Sequence, residues 1–420
     1  MMKQPTSPSR SEFLSRRKFL STGATFLTAV SVSTGAPHAA AEIKMPDSML
    51  YPGTADEPYG KPSKHESQVV RLVKGLTEKR TTTWSYSPIH RQRGIITPSG
   101  LHFGTHHSGI PDIAPDAHRL YVHGMTQKSL SFSVADLLRY PLSGNIRFLE
   151  CSGNSWQQGA FSKPAAKTCA ELYGLVSGSE WIGVPVRLLL NEAGIDPRAS
   201  WVIAEGADSG SLARSIPVSI MNNDAIVALY QNGERLRPAQ GYPMRLLLPG
   251  IEGNMNVKWL RRLEVTDRPA FTKDESRAYT ETLADGSIEG FSLYMGVKSV
   301  ITHPSAGQVL PDRGYYEVSG LAWSGFGRIR SVEVSDDGGA SWHAANLHDP
   351  VLDKALTRFS LPWRWTGQEV RLQSRATDAR GNVQPGRADW RKVYHAGSVN
   401  HYNAVQTWFI DRQGAISNVF

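Results

Sequence analysis

Two cysteines occur in the 420-residue chain, Cys151 and Cys169, and the first stands where chemistry is easiest to place. It follows the apolar run Phe148-Leu149-Glu150 and leads a small, flexible Ser152-Gly153-Asn154. A strand that ends in such a loop is a common ligand platform, because glycine lets backbone approach a bulky group closely. A thiolate is a soft, electron-donating ligand suited to a redox metal. The bland alternatives are a Cys151–Cys169 disulfide, which an oxidising compartment favours, and a buried inert thiol. Spacing alone leans slightly to the disulfide. No Cys-x-x-Cys-His can be formed, so the chain carries no c-type haem of its own, and any electrons must leave through another protein.

Cationic residues gather in a second segment. Gly241-Tyr-Pro-Met-Arg245 runs through apolar residues to Pro249-Gly250, followed by Ile251-Glu-Gly-Asn-Met-Asn256-Val257-Lys258. A glycine-rich loop delivering Asn256 and Lys258, with Arg245 behind it, suits a phosphate whose oxygens take backbone N–H groups and cationic side chains. Taken singly, a solvated strand–loop–strand explains the segment as well. Neither Gly-x-x-x-x-Gly-Lys-Ser/Thr nor Gly-x-Gly-x-x-Gly occurs, which argues against a nucleotide P-loop or a Rossmann site. His102, His106 and His107 have a spacing that zinc tolerates, but a loop lining a cofactor explains them equally. Glu205–Asp208 and Ser215–Pro217 read as loops.

These segments need elements to hold them. Arg119–His123 and Asn145–Leu149 read as strands, and Val134–Arg139 as a short helix capped by Ser133. Val186–Ala193 reads as a second helix, stopped by Gly194. This mixture defines an α+β domain. After about residue 285 the texture changes. Ser331–Ser335 alternates with period two, Asp337-Gly338-Gly339 supplies a turn, and further strands are expected at Tyr315–Ser319, Arg358–Leu361 and Val370–Ala376. Short strands at this spacing predict an immunoglobulin-like all-β sandwich.

The N-terminus bears on location. Ser15-Arg16-Arg17-Lys18-Phe19-Leu20 is a twin-arginine pattern, followed by a weakly apolar stretch from Gly23 to Val32 and small residues at Ala39–Ala41. That route exports folded proteins, which predicts a periplasmic protein and a cofactor inserted before export. Five bases against Glu12 within residues 1–41 account for +4 of the formal +8, and leave +4 for the remainder. No basic stripe with interleaved aromatics stands out, so nucleic acid is not an expected partner. No apolar run after the leader is long enough to span a bilayer. A non-catalytic adhesion or carrier protein built on the sandwich is the alternative from a different class; the leader argues against it.

Together the pieces resemble the sulfite oxidase family of molybdopterin oxidoreductases, and within it the molybdenum subunits of sulfane dehydrogenases. The resemblance covers nearly the whole chain beyond the leader. It is carried by Phe148–Asn154, Glu171–Pro185, Gly241–Arg245 and Val257–Arg262, and in the second domain by Leu321–Gly325, Leu361–Trp365 and Gln373–Asp378. It implies a Mo-molybdopterin cofactor with Cys151 as the metal ligand and Cys169 free. Phe103 and His107 match a loop lining the pterin, and Asp208 an acidic contact to it. Arg245, Asn256, Val257 and Lys258 match the segment holding the pterin and its phosphate. Tyr279 falls where the family places a tyrosine beside the metal, able to donate a proton during turnover. Two family arginines that cage sulfite are missing: Gly104-Thr105-His106 and Ser155-Trp156-Gln157 stand in their places. That departure fits a bulkier substrate. The implied activity is oxidation of sulfane sulfur on a carrier protein, with electrons passed to a separate c-type cytochrome, or alternatively a sulfite dehydrogenase. The implied layout is a signal peptide over 1–41, an extended arm over 42–64, the molybdopterin domain over 65–284, a sandwich that forms a homodimer over 285–400, and a C-terminal tail over 401–420.

Overall fold

The computed structural model describes residues 49–50, 57–75 and 82–420. The expected signal peptide and much of the arm lie outside these residues. The chain divides into a unit ending at Pro62, in which Lys61 Nζ lies 2.8 Å from Glu57 Oε2, and a unit from Ser63 to Phe420, described below.

Two five-stranded sheets and the short helices between them build the first half. One sheet runs Glu234–Arg235, Ile226–Gln231, Val176–Pro185 and Ser143–Glu150, with Arg245–Leu247 also pairing Ile226–Gln231. The other runs Leu130–Phe132, Leu120–Gly124, Leu260–Thr266, Trp201–Gly206 and Ala213–Pro217; its one parallel pair is Leu120–Gly124 with Leu260–Thr266. Alternation along Leu120–Gly124 buries Leu120 and Val122, which meet Val184, Val227, Leu263 and Val265 in one apolar cluster. Helix Val186–Ala193 presses Val186, Leu189, Leu190 and Ala193 onto that cluster and ends at Gly194, whose φ of 69° is a left-handed stop. Ser133 caps the helix Val134–Leu137 in a reciprocal box with Asp136. A three-stranded sheet of Leu72–Lys74, Thr83–Tyr86 and Gly104–His106 carries the histidine segment. Residues 205–206 and 215–217, expected as loop, instead end the strand Trp201–Gly206 and belong to the strand Ala213–Pro217, which pairs Ala204 with Arg214 and Ile203 with Ser215.

The second half is the expected sandwich. A four-stranded antiparallel sheet of Lys298–His303, Gly314–Trp323, Thr357–Trp365 and Asn346–Leu347 faces a five-stranded one of His343–Ala344, Ile329–Ser335, Val370–Asp378, Thr407–Ile410 and Ile416–Val419. Val300, Val318, Trp323 and Phe359 from the first interleave with Val332, Leu372, Ala376 and Trp408 from the second. The last twenty residues are therefore not a tail. Thr407–Ile410 pairs with Val370–Gln373 and with Ile416–Val419, and Trp408 is fully buried. The change of texture near Ala284-Asp285-Gly286 is the tip of a hairpin joining Thr280–Thr282 to Ile288–Gly290, with Gly286 at φ 85°.

No gap separates the two cores. Phe148, Cys169, Leu172, Tyr173 and Val176 belong to the sandwich cluster. A polar joint reinforces this seam. Glu150, 0% exposed, receives Lys298 Nζ (2.9 Å) and Asn154 Nδ2 (2.9 Å) on Oε1, and Trp323 Nε1 (2.6 Å) on Oε2. Lys298 also donates to Ser155 Oγ (2.9 Å). Burial pulls the Lys298 ammonium below the usual range, and Glu150 partly offsets it. Removing one partner strands a charge without water. Glu150→Gln and Lys298→Met should each destabilise by roughly 3–5 kcal/mol, and the double variant by less than their sum, as read from urea midpoints.

Candidate functional site

Cys151 leaves the strand Ser143–Glu150 and is half-buried at its end, where its N–H donates to the Leu175 carbonyl (3.0 Å). Asn154 N–H closes a turn on the Cys151 carbonyl (2.8 Å), and Ser155 takes φ 64° to start the helix Trp156–Ala160. Cys151 and Cys169 are both free, so no disulfide forms; Cys169 is packed in the apolar core. Opposite lies the loop after Arg245–Leu247. A Cβ on Gly253 would sit 2.7 Å from the Glu150 carbonyl and 3.2 Å from Cys151 Cα, so glycine is what lets the loop close on the cysteine.

A cleft of about 580 Å³ opens at this junction. The structure brings seven of the nine expected site residues into its lining: Phe103, His107, Cys151, Arg245, Asn256, Lys258 and Tyr279. Asp208 and Val257 do not line it. Val257 packs in the core between the two sheets, and Asp208 is buried behind, close enough to favour the charged form of Lys258 and of His107. Trp156 is likewise absent from the lining, its ring packed edge-on against Phe161 at 5.3 Å, whereas Thr105 does line the cleft.

The two buried cations of the cleft stand without an ion-pair partner among the described residues. Arg245, 3% exposed, spends its guanidinium on the carbonyls of Gln240 (3.1 Å) and Asn256 (2.9 Å) and lies 5.1 Å from the Trp181 ring centre. Lys258 Nζ donates to the Thr105 carbonyl (2.8 Å) and to His106 Nδ1 (2.7 Å). Neither forms an ion pair with a carboxylate among the described residues. Burial drops the Arg245 pKa to about 9, and burial together with Arg245 pulls Lys258 well down. Such a pair is poised for an anion.

Acceptors are left open too. His102 Nδ1 faces the Phe103 carbonyl at 2.9 Å, so that nitrogen carries the proton and Nε2 is an acceptor. Nε2 is buried and finds no partner among the described residues, and the same holds for Asn254 Oδ1. Burial holds His102 at about 3 and, with the Lys258 charge, His106 at about 2; both rings are neutral at physiological pH. No group of three or more metal-ligating side chains occurs among the described residues, so the histidines form no zinc site there.

Tyr279 closes one side. Its hydroxyl lies 3.2 Å from His107 Nε2, and its ring rests on Arg214, 4.5 Å from the guanidinium carbon. Burial and the Cys151 and Glu252 charges push the phenol pKa up, so it remains a proton donor. Arg214 was not legible as a site residue. It sits in a short strand, fully buried, gripped by Glu275 (2.8 and 3.0 Å) and Glu252 (3.3 Å). Gln240 and Asn254 also went unrecognised, because nothing in their local sequence marks them; His102, expected in a loop that binds zinc or lines a cofactor, lines the cleft.

With this geometry in place the relatives are informative. Residues 107–273 match the profile of the oxidoreductase molybdopterin binding domain, and 291–407 that of the Mo-co oxidoreductase dimerisation domain. The crystal structure of the sulfane dehydrogenase SoxCD from Paracoccus pantotrophus superposes with a TM-score of 0.87 at 40% identity, covering 90% of this chain and 97% of that one. Mouse mitochondrial sulfite oxidase is 29% identical over 82% of this chain and 66% of its own length. An inducible nitrate reductase of Glycine max is 29% identical over 71% of this chain but 38% of its own length. The chain thus spans about two thirds or less of these sulfite oxidase and nitrate reductase relatives. It belongs to the sulfite oxidase family of molybdopterin oxidoreductases. Mo-molybdopterin is the cofactor this family membership implies.

Asn256 is held on both ends of its amide. Its Oδ1 accepts from Leu248 N–H (2.6 Å), while Nδ2 donates to the carbonyls of Ile251 (3.3 Å) and Glu252 (3.0 Å). Asn256→Asp keeps the shape but turns an anionic oxygen on two carbonyls. It should lower the urea midpoint by the equivalent of about 1–3 kcal/mol, while Asn256→Ala leaves the same three backbone groups unpaired.

Proposed function

We propose that the protein is a periplasmic molybdenum oxidoreductase that oxidises sulfane sulfur held on a carrier protein and passes the electrons to a separate c-type cytochrome. The carrying observation is a free, half-buried cysteine in the same cleft as two cations that lack a carboxylate. The donor set fits the cofactor. Arg245 and Lys258 would supply charge for the phosphate, and Phe103, His107 and the open His102 Nε2 would line the pterin, with Asn254 Oδ1 as a further acceptor. Asn256 shapes the loop that presents these groups, with Val257 and Asp208 supporting it from behind. When bound, the metal supplies two-electron oxygen-atom transfer.

The chain's own residues prepare that chemistry. Burial pushes the Cys151 thiol up, opposed by the Gly153 amide and the Thr105 hydroxyl, so the free thiol keeps its proton and gives it up when a metal binds. His107 fixes the Tyr279 hydroxyl, and the phenol donates its proton to an oxygen at the site. With Gly104, Thr105 and His106 in place of a family arginine, Arg245 is the one guanidinium among the described residues that line the cleft. A cleft so poor in forked cations suits a long, tethered sulfur chain better than a small dianion.

The twin-arginine pattern supports export of the folded, loaded enzyme. The two cysteines leave no haem attachment motif, which supports a cytochrome as a separate subunit. The match of residues 291–407 to a dimerisation domain supports a homodimer through the sandwich. Among the described residues no helix is long and apolar enough to cross a membrane.

Molybdenum content by elemental mass spectrometry, on wild type and on Cys151→Ser, tests this reading. Wild type should hold near-stoichiometric metal. Cys151→Ser should retain the pterin and lose at least a thousandfold in sulfur oxidation, about 4 kcal/mol at the barrier. Metal-free wild type from correctly loaded cells overturns the proposal. Turnover of free sulfite in preference to a carrier-bound persulfide converts it to a sulfite dehydrogenase.

A further inference from the structure

The phenol of Tyr279 is gripped from two sides. His107 Nε2 meets its hydroxyl at 3.2 Å, and the guanidinium carbon of Arg214 lies 4.5 Å from its ring centre. Arg214 belongs to Ala213–Pro217, the edge strand of its sheet, and is fully buried without lining the cleft. Three consecutive residues of that strand pin the segment that ends in Tyr279. The Ala213 carbonyl accepts from Thr272 Oγ1 (2.8 Å). Ser215 Oγ bonds both backbone groups of Ala270 (3.0 Å each), and Ser215 N–H donates to Glu275 Oε1 (2.9 Å). Arg214 adds a fork on Glu275, from Nε (2.8 Å) and Nη2 (3.0 Å).

We propose that Arg214 is a positioning residue for Tyr279, carrying the ring on its guanidinium and so holding the hydroxyl against His107 at the cleft. The proposal rests on the oxidoreductase reading above. Glu275 lies in the helix Lys273–Arg277, and Tyr279 follows just beyond its end. One arginine therefore fixes the segment twice, by a bidentate ion pair on the helix and a cation–π contact past it. When the phenol gives its proton to an oxygen at the site, the bonding pair stays on the phenolic oxygen. The cation against the ring stabilises that phenolate until it regains a proton from solvent past the exposed His107.

The neighbours of Arg214 keep it from serving any other group. Glu252 Oε1 lies 3.3 Å from Nη2, and Glu252 Oε2 is shared with Asn254 Nδ2 (2.9 Å) and His401 Nε2 (3.2 Å). Two carboxylates thus hold the guanidinium in place and away from a substrate anion. Nη1 is buried with no acceptor among the described residues, so hydrogen bonding leaves part of the guanidinium to the ring. Burial and the Cys151 charge push the phenol pKa up, and Arg214 works against them. The segment 104–106 offers no arginine to the cleft. A strand of a different sheet offers one instead, to the tyrosine and not to the substrate.

Arg214→Lys keeps the charge but loses the fork and the planar stacking surface. On the metal-loaded protein it should lower kcat roughly tenfold with KM unchanged. In a Tyr279→Phe background the same substitution should cost less than about twofold, because its effect runs through the phenol. A purely structural role lowers kcat equally in both backgrounds. A second readout needs neither turnover nor metal: 3-fluorotyrosine at position 279 of the full chain, followed by fluorine NMR. Wild type should give one narrow resonance from a held ring, and Arg214→Lys a shifted and broadened one. Should Arg214→Lys fail to fold, Arg214→Met with Glu275→Gln removes the buried ion pair and keeps an acceptor for Ser215 N–H; the same two measurements then apply. Equal kcat losses with and without the Tyr279 hydroxyl, or a fluorine resonance that the substitution leaves unchanged, overturn the proposal. A metal-loaded wild type that oxidises no sulfur compound overturns the substrate reading, and the fluorine resonance then decides the positioning by itself.

Discussion

Glu150 is the residue on which the architecture turns. It is a fully buried carboxylate, and a charge without water must be answered by its neighbours. The answers come from both halves of the molecule: Asn154 from the loop after the cysteine, Lys298 and Trp323 from the sandwich. Because Glu150 immediately precedes Cys151, the same three donors that satisfy the carboxylate also fix where the thiol emerges. Gly253 completes the arrangement from the other side, since a larger residue would collide with the Glu150 carbonyl. The position of the sulfur is set by satisfying buried charge as much as by apolar packing.

The cleft follows the opposite rule. Arg245 and Lys258 are desolvated yet meet carbonyls, a ring nitrogen and aromatic faces in place of carboxylates. Their cost is offset when an anion arrives, which makes the empty cleft less stable than its surroundings. Neighbouring histidines held neutral by burial keep the positive potential from growing further. Tight balance at Glu150 and imbalance in the cleft that opens beyond Cys151 divide the labour between holding the fold and holding a ligand.

Much of this was legible in the residues. The helix Val186–Ala193 and its Gly194 stop follow from local spacing, as do the alternating strands of the sandwich. Cys151 and Lys258 could be singled out by type and position, and family resemblance then separated a ligand from a disulfide. Arg214 and Gln240 could not be found in this way. Each acquires its role from a residue far along the chain, such as Glu275 for Arg214 or Phe103 for Gln240, and no local pattern encodes those meetings. The end of the chain was misjudged for a related reason. Residues 403–420 mix polar and apolar side chains without a helical or strand period, yet Gln158, Gln406 and Asn418 bond to one another in a buried amide cluster.

That closing segment also bears on timing. Asn400, His401 and Tyr402 touch Ser152 and Ser155, so the loop bearing Cys151 is finished by residues far along the chain that are made long after it. While the chain is still being made, the cysteine stands beside an incomplete wall. Access for a large cofactor therefore narrows once residues 400–402 dock against the loop.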